Sequence, residues 1–160
     1  MTTPYYESIN LIERLHRQFL DVLKVELERA DIHDINNVQS MILHNISADE
    51  MTVGELTLRG YYLGSNVSYN IKKMVENGYL LQERSIHDKR SVRVKLSEKG
   101  RKLNDAIAKL YKQHEARLVG AGLANARLES MNHVLRDLET FWAEQMGAGG
   151  LLNLTGSSSG

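Results

Sequence analysis

The chain has 160 residues, 42% hydrophobic and 25% charged, the mixture of an ordinary soluble globular protein of about one domain. It has no cysteine, which excludes disulfide scaffolds, cysteine-ligated zinc ribbons and cysteine nucleophiles, and no apolar run approaches the roughly 18 residues that cross a bilayer. Its 20 basic and 20 acidic residues cancel overall, but residues 59–102 hold eleven Lys/Arg against four Asp/Glu, and this net +7 points to a polyanion facing one surface.

Residues 5–30 are predicted as one long helix, because Ile9, Ile12, Leu15, Phe19, Val22 with Leu23, and Leu27 recur at helical steps. The start Met1-Thr2-Thr3-Pro4 lacks the basic patch and apolar stretch of a secretion signal, so the expected location is cytoplasmic. Ile35, Val38, Ile42 and Ile46 repeat the pattern in a second helix, with Asp34 as its expected N-cap. Thr52-Val53-Gly54-Glu55 matches a capping box and opens a short helix to about Arg59. A turn at 60–64 follows, and Ser65 is expected to cap a helix that runs to Glu76 and stops at Asn77-Gly78. The period then changes to two, predicting short strands at 79–84 and 91–96 joined by a loop at 85–90. Ser97 caps another long helix, Gly120 and Gly122 break it, and a last helix carries Leu128, Met131, Val134 or Leu135, Leu138, and Phe141 or Trp142. The Gly/Ser-rich stretch 147–160 reads as a flexible tail.

The expected fold class is mainly α with a small β-hairpin wing (α+β). Helix, turn, helix and hairpin within residues 34–96 make a winged helix-turn-helix. The helix at 65–76 has the character of a DNA reader. Val67, Ile71, Met74 and Val75 share one face, and Ser65, Asn66, Tyr69, Lys72 and Lys73 share the opposite one, with Asn70 on the flank. Asn pairs with adenine edges, Lys with guanine or phosphate, and Tyr with phosphate or a thymine methyl. The hairpin tip, Ile86-His87-Asp88-Lys89-Arg90, offers Lys89 and Arg90 to the negative potential of a minor groove. Asp88 adds negative charge there, so its expected part is to brace Arg90 or the loop backbone.

These residues carry a family resemblance. Asp88-x-Arg90 followed by Val94-x-Leu96-Ser97-x-x-Gly100 resembles the wing and next helix start of the MarR family of transcription regulators. Asn77-Gly78-Tyr79-Leu80 resembles that family's recognition-helix exit, and Thr52-x-x-Glu55-Leu56 its preceding helix. Thr57, where the family usually has a small residue, and the turn Arg59-Gly60-Tyr61-Tyr62 depart from the pattern. Residues 59–70, with Tyr6-Glu7-Ser8-Ile9 and residues 13–17, are similar to the LdtR-type subgroup, which implies control of cell-envelope genes such as an L,D-transpeptidase.

The resemblance covers residues 5–146 and implies a single domain at 1–146. It implies a homodimer held by helices at 5–30 and 97–146, a pseudo-palindromic double-stranded operator, and a small aromatic or phenolic effector. The apolar stripes of those helices, longer than one winged unit needs for cover, agree, and Phe141 and Trp142 are anchor types. The implied effector pocket draws on His16, Phe19, Leu20, Leu43 and His44.

Other chemistry is thin. None of the six histidines is paired with another at i+3 or i+4, so no metal or cofactor is expected. There is no phosphate-binding glycine loop, no Gly-x-Ser-x-Gly and no paired-carboxylate site, so no enzymatic activity is expected. The competing reading is a winged-helix protein-interaction module whose basic face meets an acidic partner.

Overall fold

A computed structural model describes residues 2–46, 51–60, 64–84 and 92–147. They fold as α1 (Pro4–Arg29), α2 (Asn37–Asn45), β1 (Met51–Thr52), α3 (Val53–Gly60), α4 (Gly64–Glu76), β2 (Leu80–Arg84), β3 (Val92–Leu96), α5 (Glu98–Leu118) and α6 (Asn125–Gly147). The expected class, helices with a small antiparallel hairpin, is the one observed. The chain divides into two compact units, residues 1–109 and 110–160.

In the first unit the helix starts follow local chemistry. Thr3 caps α1, its side chain accepting from the Tyr6 N–H at 3.2 Å, and Pro4 occupies a first-turn position where no N–H is needed. The expected cap of α2 is corrected. Asn36, not Asp34, caps it: the Asn36 side chain accepts from the Gln39 N–H at 2.8 Å, and Gln39 Oε1 accepts from the Asn36 N–H at 3.1 Å. This reciprocal box satisfies two orphan donors and is closed by Gln39, which the Asp34 position does not engage. The Thr52–Glu55 box is present, with the Glu55 N–H donating to Thr52 Oγ1 at 3.0 Å and the Thr52 N–H to Glu55 Oε2 at 3.3 Å. Helix α4 begins at Gly64, so Ser65 lies inside its first turn and is not its cap.

Asn77-Gly78 ends α4 as expected. Gly78 has φ +82°, and Tyr79 N–H donates to Met74 O while Gly78 N–H donates to Val75 O, the two bonds of a Schellman turn. The hairpin pairs antiparallel with Leu80 opposite Leu96, Gln82 opposite Val94 and Arg84 opposite Val92. A third strand, not anticipated, pairs Met51 and Thr52 with Val94 and Arg93, giving the order β1-β3-β2. Two residues are too few to display alternation, and Thr52 already read as a helix cap. Ser97 caps α5, accepting from the Gly100 N–H at 3.0 Å and donating to Gly78 O at 2.5 Å. At Gly100 a Cβ would lie 2.2 Å from Tyr79 O, so only glycine lets the start of α5 close on the end of α4. Ile42, Leu43, Ile46, Leu56, Val67, Met74, Leu80 and Val94 are fully buried and form the core behind α4.

In the second unit the end of α5 turns at Gly122, which has φ +78°, and Leu123 N–H donates to Leu118 O at 2.9 Å. Helix α6 follows without a buried residue. Gly147 still belongs to α6, and the remaining tail, 148–160, lies outside the described residues.

Candidate nucleic-acid interface

Helix α4 is placed by its apolar face. Val67, Ile71 and Met74 are buried at 0, 3 and 1% exposure, which turns Asn66, Tyr69 and Lys72 outward. Tyr69 is 62% exposed, and Lys73 Nζ lies 5.9 Å from its ring centroid. Lys73 also stands 3.5 Å from Glu76 Oε2, so part of its charge is already answered within the helix. The outward surface is thus an amide, a phenol and cations on one rigid helix, the side-chain set that reads base edges and grips phosphates in a major groove.

Asn70 is placed differently from its neighbours. It is half-buried on the flank, and its Oδ1 accepts from Gln39 Nε2 at 3.2 Å while its Nδ2 donates to Asn66 O at 2.8 Å. Ser65 is in α4, and its side chain lies outside the described residues. Asp88, Lys89 and Arg90 also lie outside the described residues, between β2 and β3. At the end of the strand pair nearest those residues the structure exposes Arg84 and Arg93, cations of the basic block that the sequence does not single out. Strand register makes the difference: it puts Arg93 opposite Glu83 and Arg84 opposite Val92. A groove of about 350 Å³ runs beside α4, where Lys72 and Ser68 face Gln82 and Val92 of the hairpin and Val53 of α3.

The exit of α4 is held by a polar cluster that sequence reading missed. Asp34 Oδ1 accepts from the Tyr79 hydroxyl and Oδ2 from Lys99 Nζ, each at 2.5 Å, and Asp34 O accepts from Asn77 Nδ2 at 2.9 Å. Lys99 Nζ donates also to Asn77 O at 2.9 Å and lies 4.3 Å from the Tyr79 ring centroid. Burial alone would raise the Asp34 carboxyl; the hydrogen bonds from Lys99 and Tyr79 and the Lys99 charge outweigh it and hold the group below its ordinary range. Burial, and then the hydrogen bond and charge of Asp34, push the Tyr79 phenol up. The only sequence signal was Asp34 itself, which reads equally well as a helix cap.

The residues implied for an effector pocket are scattered in environment. His16 is exposed, Phe19 and Leu20 are half-buried, and Leu43 is fully buried in the core. His44 Nδ1 is 2.7 Å from Asn104 Oδ1, joining α2 to α5. A groove of about 740 Å³ along α1 includes Phe19, with Leu15 and Val22, but none of the other four. Among the described residues no group of three His, Cys, Asp or Glu could hold a metal, and no helix is long and apolar enough to cross a membrane.

Residues 35–100 match the model of a winged helix DNA-binding domain. The chain is 38% identical over 138 residues to the exopolysaccharide II synthesis transcriptional activator ExpG of Rhizobium meliloti (strain 1021), covering 86% of this chain and 71% of that protein. Among solved structures it is similar to the S. aureus MepR–DNA complex, with TM-score 0.71, 20% identity and coverage of 89% of this chain and 99% of that one. It is also similar to a Staphylococcus aureus MarR in complex with salicylate and kanamycin, with TM-score 0.69, 20% identity and coverage of 87% and 92%.

Proposed function

The chain belongs to the MarR family of winged-helix, DNA-binding transcription regulators, and on that premise we propose that it reads a pseudo-palindromic operator as a homodimer under the control of a small aromatic effector. The observation that carries DNA reading is α4, which buries Val67, Ile71 and Met74 and offers Asn66, Tyr69 and Lys72 outward inside the basic block. Asn66 and Tyr69, near the helix start, read base edges; Lys72 and Lys73 position the duplex on its phosphates. Ser65 adds a backbone contact at the helix start. Lys89 and Arg90 enter the neighbouring minor groove, with Asp88 bracing Arg90. The action is cytoplasmic, where the operator is.

Dimerisation is supported by α6, on which Met131, Val134, Leu135, Phe141 and Met146 are all exposed. Two copies related by a two-fold axis present two reader helices to half-sites about 34 Å apart. The effector reading rests on family likeness, including the salicylate held by the S. aureus MarR, and on His16, Phe19, Leu20, Leu43 and His44 as its lining. A ligand acts only if it binds the two DNA-affinity states unequally, and operator DNA then weakens the ligand by the same factor. Cell-surface genes are the target class we infer, because residues 59–70 resemble LdtR-type regulators and the relative ExpG is named for exopolysaccharide II synthesis.

Selection of bound sequences from a random duplex pool tests the reading, followed by salt titration of the enriched duplex. We expect a two-fold-symmetric consensus whose affinity falls steeply with salt, as counterion release requires. Binding with no sequence preference would favour the protein-interaction module instead, with an acidic partner on the same basic face.

A further inference from the structure

We infer that residues 34–39, the junction of α1 and α2, are the mount that sets the angle of the reader helix, with Gln39 and Asp34 as positioning residues for sequence recognition. The inference rests on the DNA-reading function proposed above. It starts from a buried polar side chain: Gln39 is 7% exposed, in a place where a hydrophobic residue would pack without needing partners. Its amide is used at both ends. Oε1 closes the α2 capping box on the Asn36 N–H at 3.1 Å, and Nε2 donates to Asn70 Oδ1 at 3.2 Å. Asn70 in turn donates to Asn66 O at 2.8 Å. Three hydrogen bonds therefore run from the first turn of α2 to the peptide of the residue offered to base edges.

A second tie lies at the exit of α4, seven residues beyond Asn70. Asp34 accepts from Tyr79 and Lys99 through its carboxylate and from Asn77 through its carbonyl. Asn77 and Tyr79 flank the glycine turn that ends α4. At 1.5 Å per residue the two ties stand roughly 10 Å apart along the helix axis, enough to fix tilt as well as position. The apolar face alone does not do this, because hydrophobic contact is non-directional and tolerates a small rotation. Hydrogen bonds are directional, and a base-reading side chain needs placement within about 0.5 Å. Asn70, although on the reader helix, then serves recognition from behind, through Gln39.

The test compares the duplex selected by the unaltered chain with a random duplex of the same length. Dissociation constants, salt slopes and DNA-free melting are measured for the unaltered chain, Gln39→Met, Asn70→Ala and the double variant. We expect each single substitution to lower the selected-to-random preference roughly 3- to 10-fold, the worth of one part-buried hydrogen bond, with the double variant no worse than either. Random-duplex affinity and the salt slope stay unchanged, since no phosphate contact is removed. Lys99→Met is expected to behave likewise, losing preference at constant slope; a slope shallower by about one unit would make Lys99 a phosphate contact and remove the second tie. Additive losses, with Asn70→Ala the larger, would show Asn70 touching bases itself and overturn the mount. Unchanged preference in both single variants would overturn it too. If Gln39→Met does not fold, Asn70→Ala and Lys99→Met, at half-buried and exposed sites, carry the same test. An unaltered chain that selects no sequence would instead sink the DNA-reading function itself.

Discussion

Helices α4 and α6 both carry apolar residues at helical spacing, yet one buries them and the other does not. In α4, Val67, Ile71 and Met74 are 0–3% exposed against the core of the first unit. In α6, Val134 is 63% exposed, Phe141 48% and Leu135 40%, and no residue is buried. An apolar stripe that is buried stabilises a fold, and the exposed one on α6 is the surface on which the homodimer proposed above rests. The same periodic signal therefore has two outcomes, and the outward face of α4, where Asn66, Tyr69 and Lys72 are exposed, is the surface proposed above to meet DNA.

The largest expected effect would break or confirm this contrast on the α6 side. Leu135→Asp with Phe141→Asp should raise the homodimer dissociation constant by more than about 10,000-fold, because the two-fold repeats each change and the dimer loses four apolar side chains worth about 1.5–3 kcal/mol each. Sedimentation velocity over a concentration series reads it, and duplex affinity should fall in parallel. A variant that stays dimeric would make α6 an ordinary solvated helix.

On the α4 side, Ile71→Ala should cost about 2–5 kcal/mol of folding stability through the cavity it leaves. Urea denaturation measures this, and the dimer dissociation constant should not move. Loss of dimer without loss of stability would reverse the roles assigned to the two helices.

The outward face sharpens the comparison at a smaller scale. Arg90→Ala should weaken duplex binding by about 1–3 kcal/mol without a change in melting temperature. Asp88→Ala should weaken it as well, and tighter binding by that variant would replace the bracing role with simple charge attraction. Asn66→Ala should relax preference at one operator position, whereas Lys73→Ala should weaken all duplexes evenly and make the salt slope shallower by about one unit.

The smallest effect is on acid stability. Asp34 is held below its ordinary 3.8 when folded, so the unfolded chain binds the extra proton in acid. The stability it contributes is complete above that value and is lost as pH falls through the folded one. Its ion pair with Lys99 is about half open to solvent, at 44% and 48% exposure, which limits the contribution to a few tenths to about 1 kcal/mol. Comparison of urea midpoints for the unaltered chain and Asp34→Asn should show a shallower acid limb in the variant.

The features legible from the order of residues are those settled within a few positions of chain. The amphipathic face of α4, the Thr52–Glu55 box, the Gly78 exit and the period of β3 all depend on contacts between neighbours in sequence, and each is observed. The fold class and the polar outward face of α4 were therefore legible. Other features depend on residues far apart in the chain. Asn36 rather than Asp34 caps α2, because Asp34 is taken by Lys99, 65 residues away. Asn70 turns toward Gln39, 31 residues away, although helical periodicity left it on the flank of the DNA face. Strand β1 exists because β3 offers it a free edge, and two residues carry no period of their own. Local hydrogen bonds and periodicity are written in the order of the residues; the choice among several possible partners for one polar side chain is made only when the core brings distant segments to within hydrogen-bonding reach.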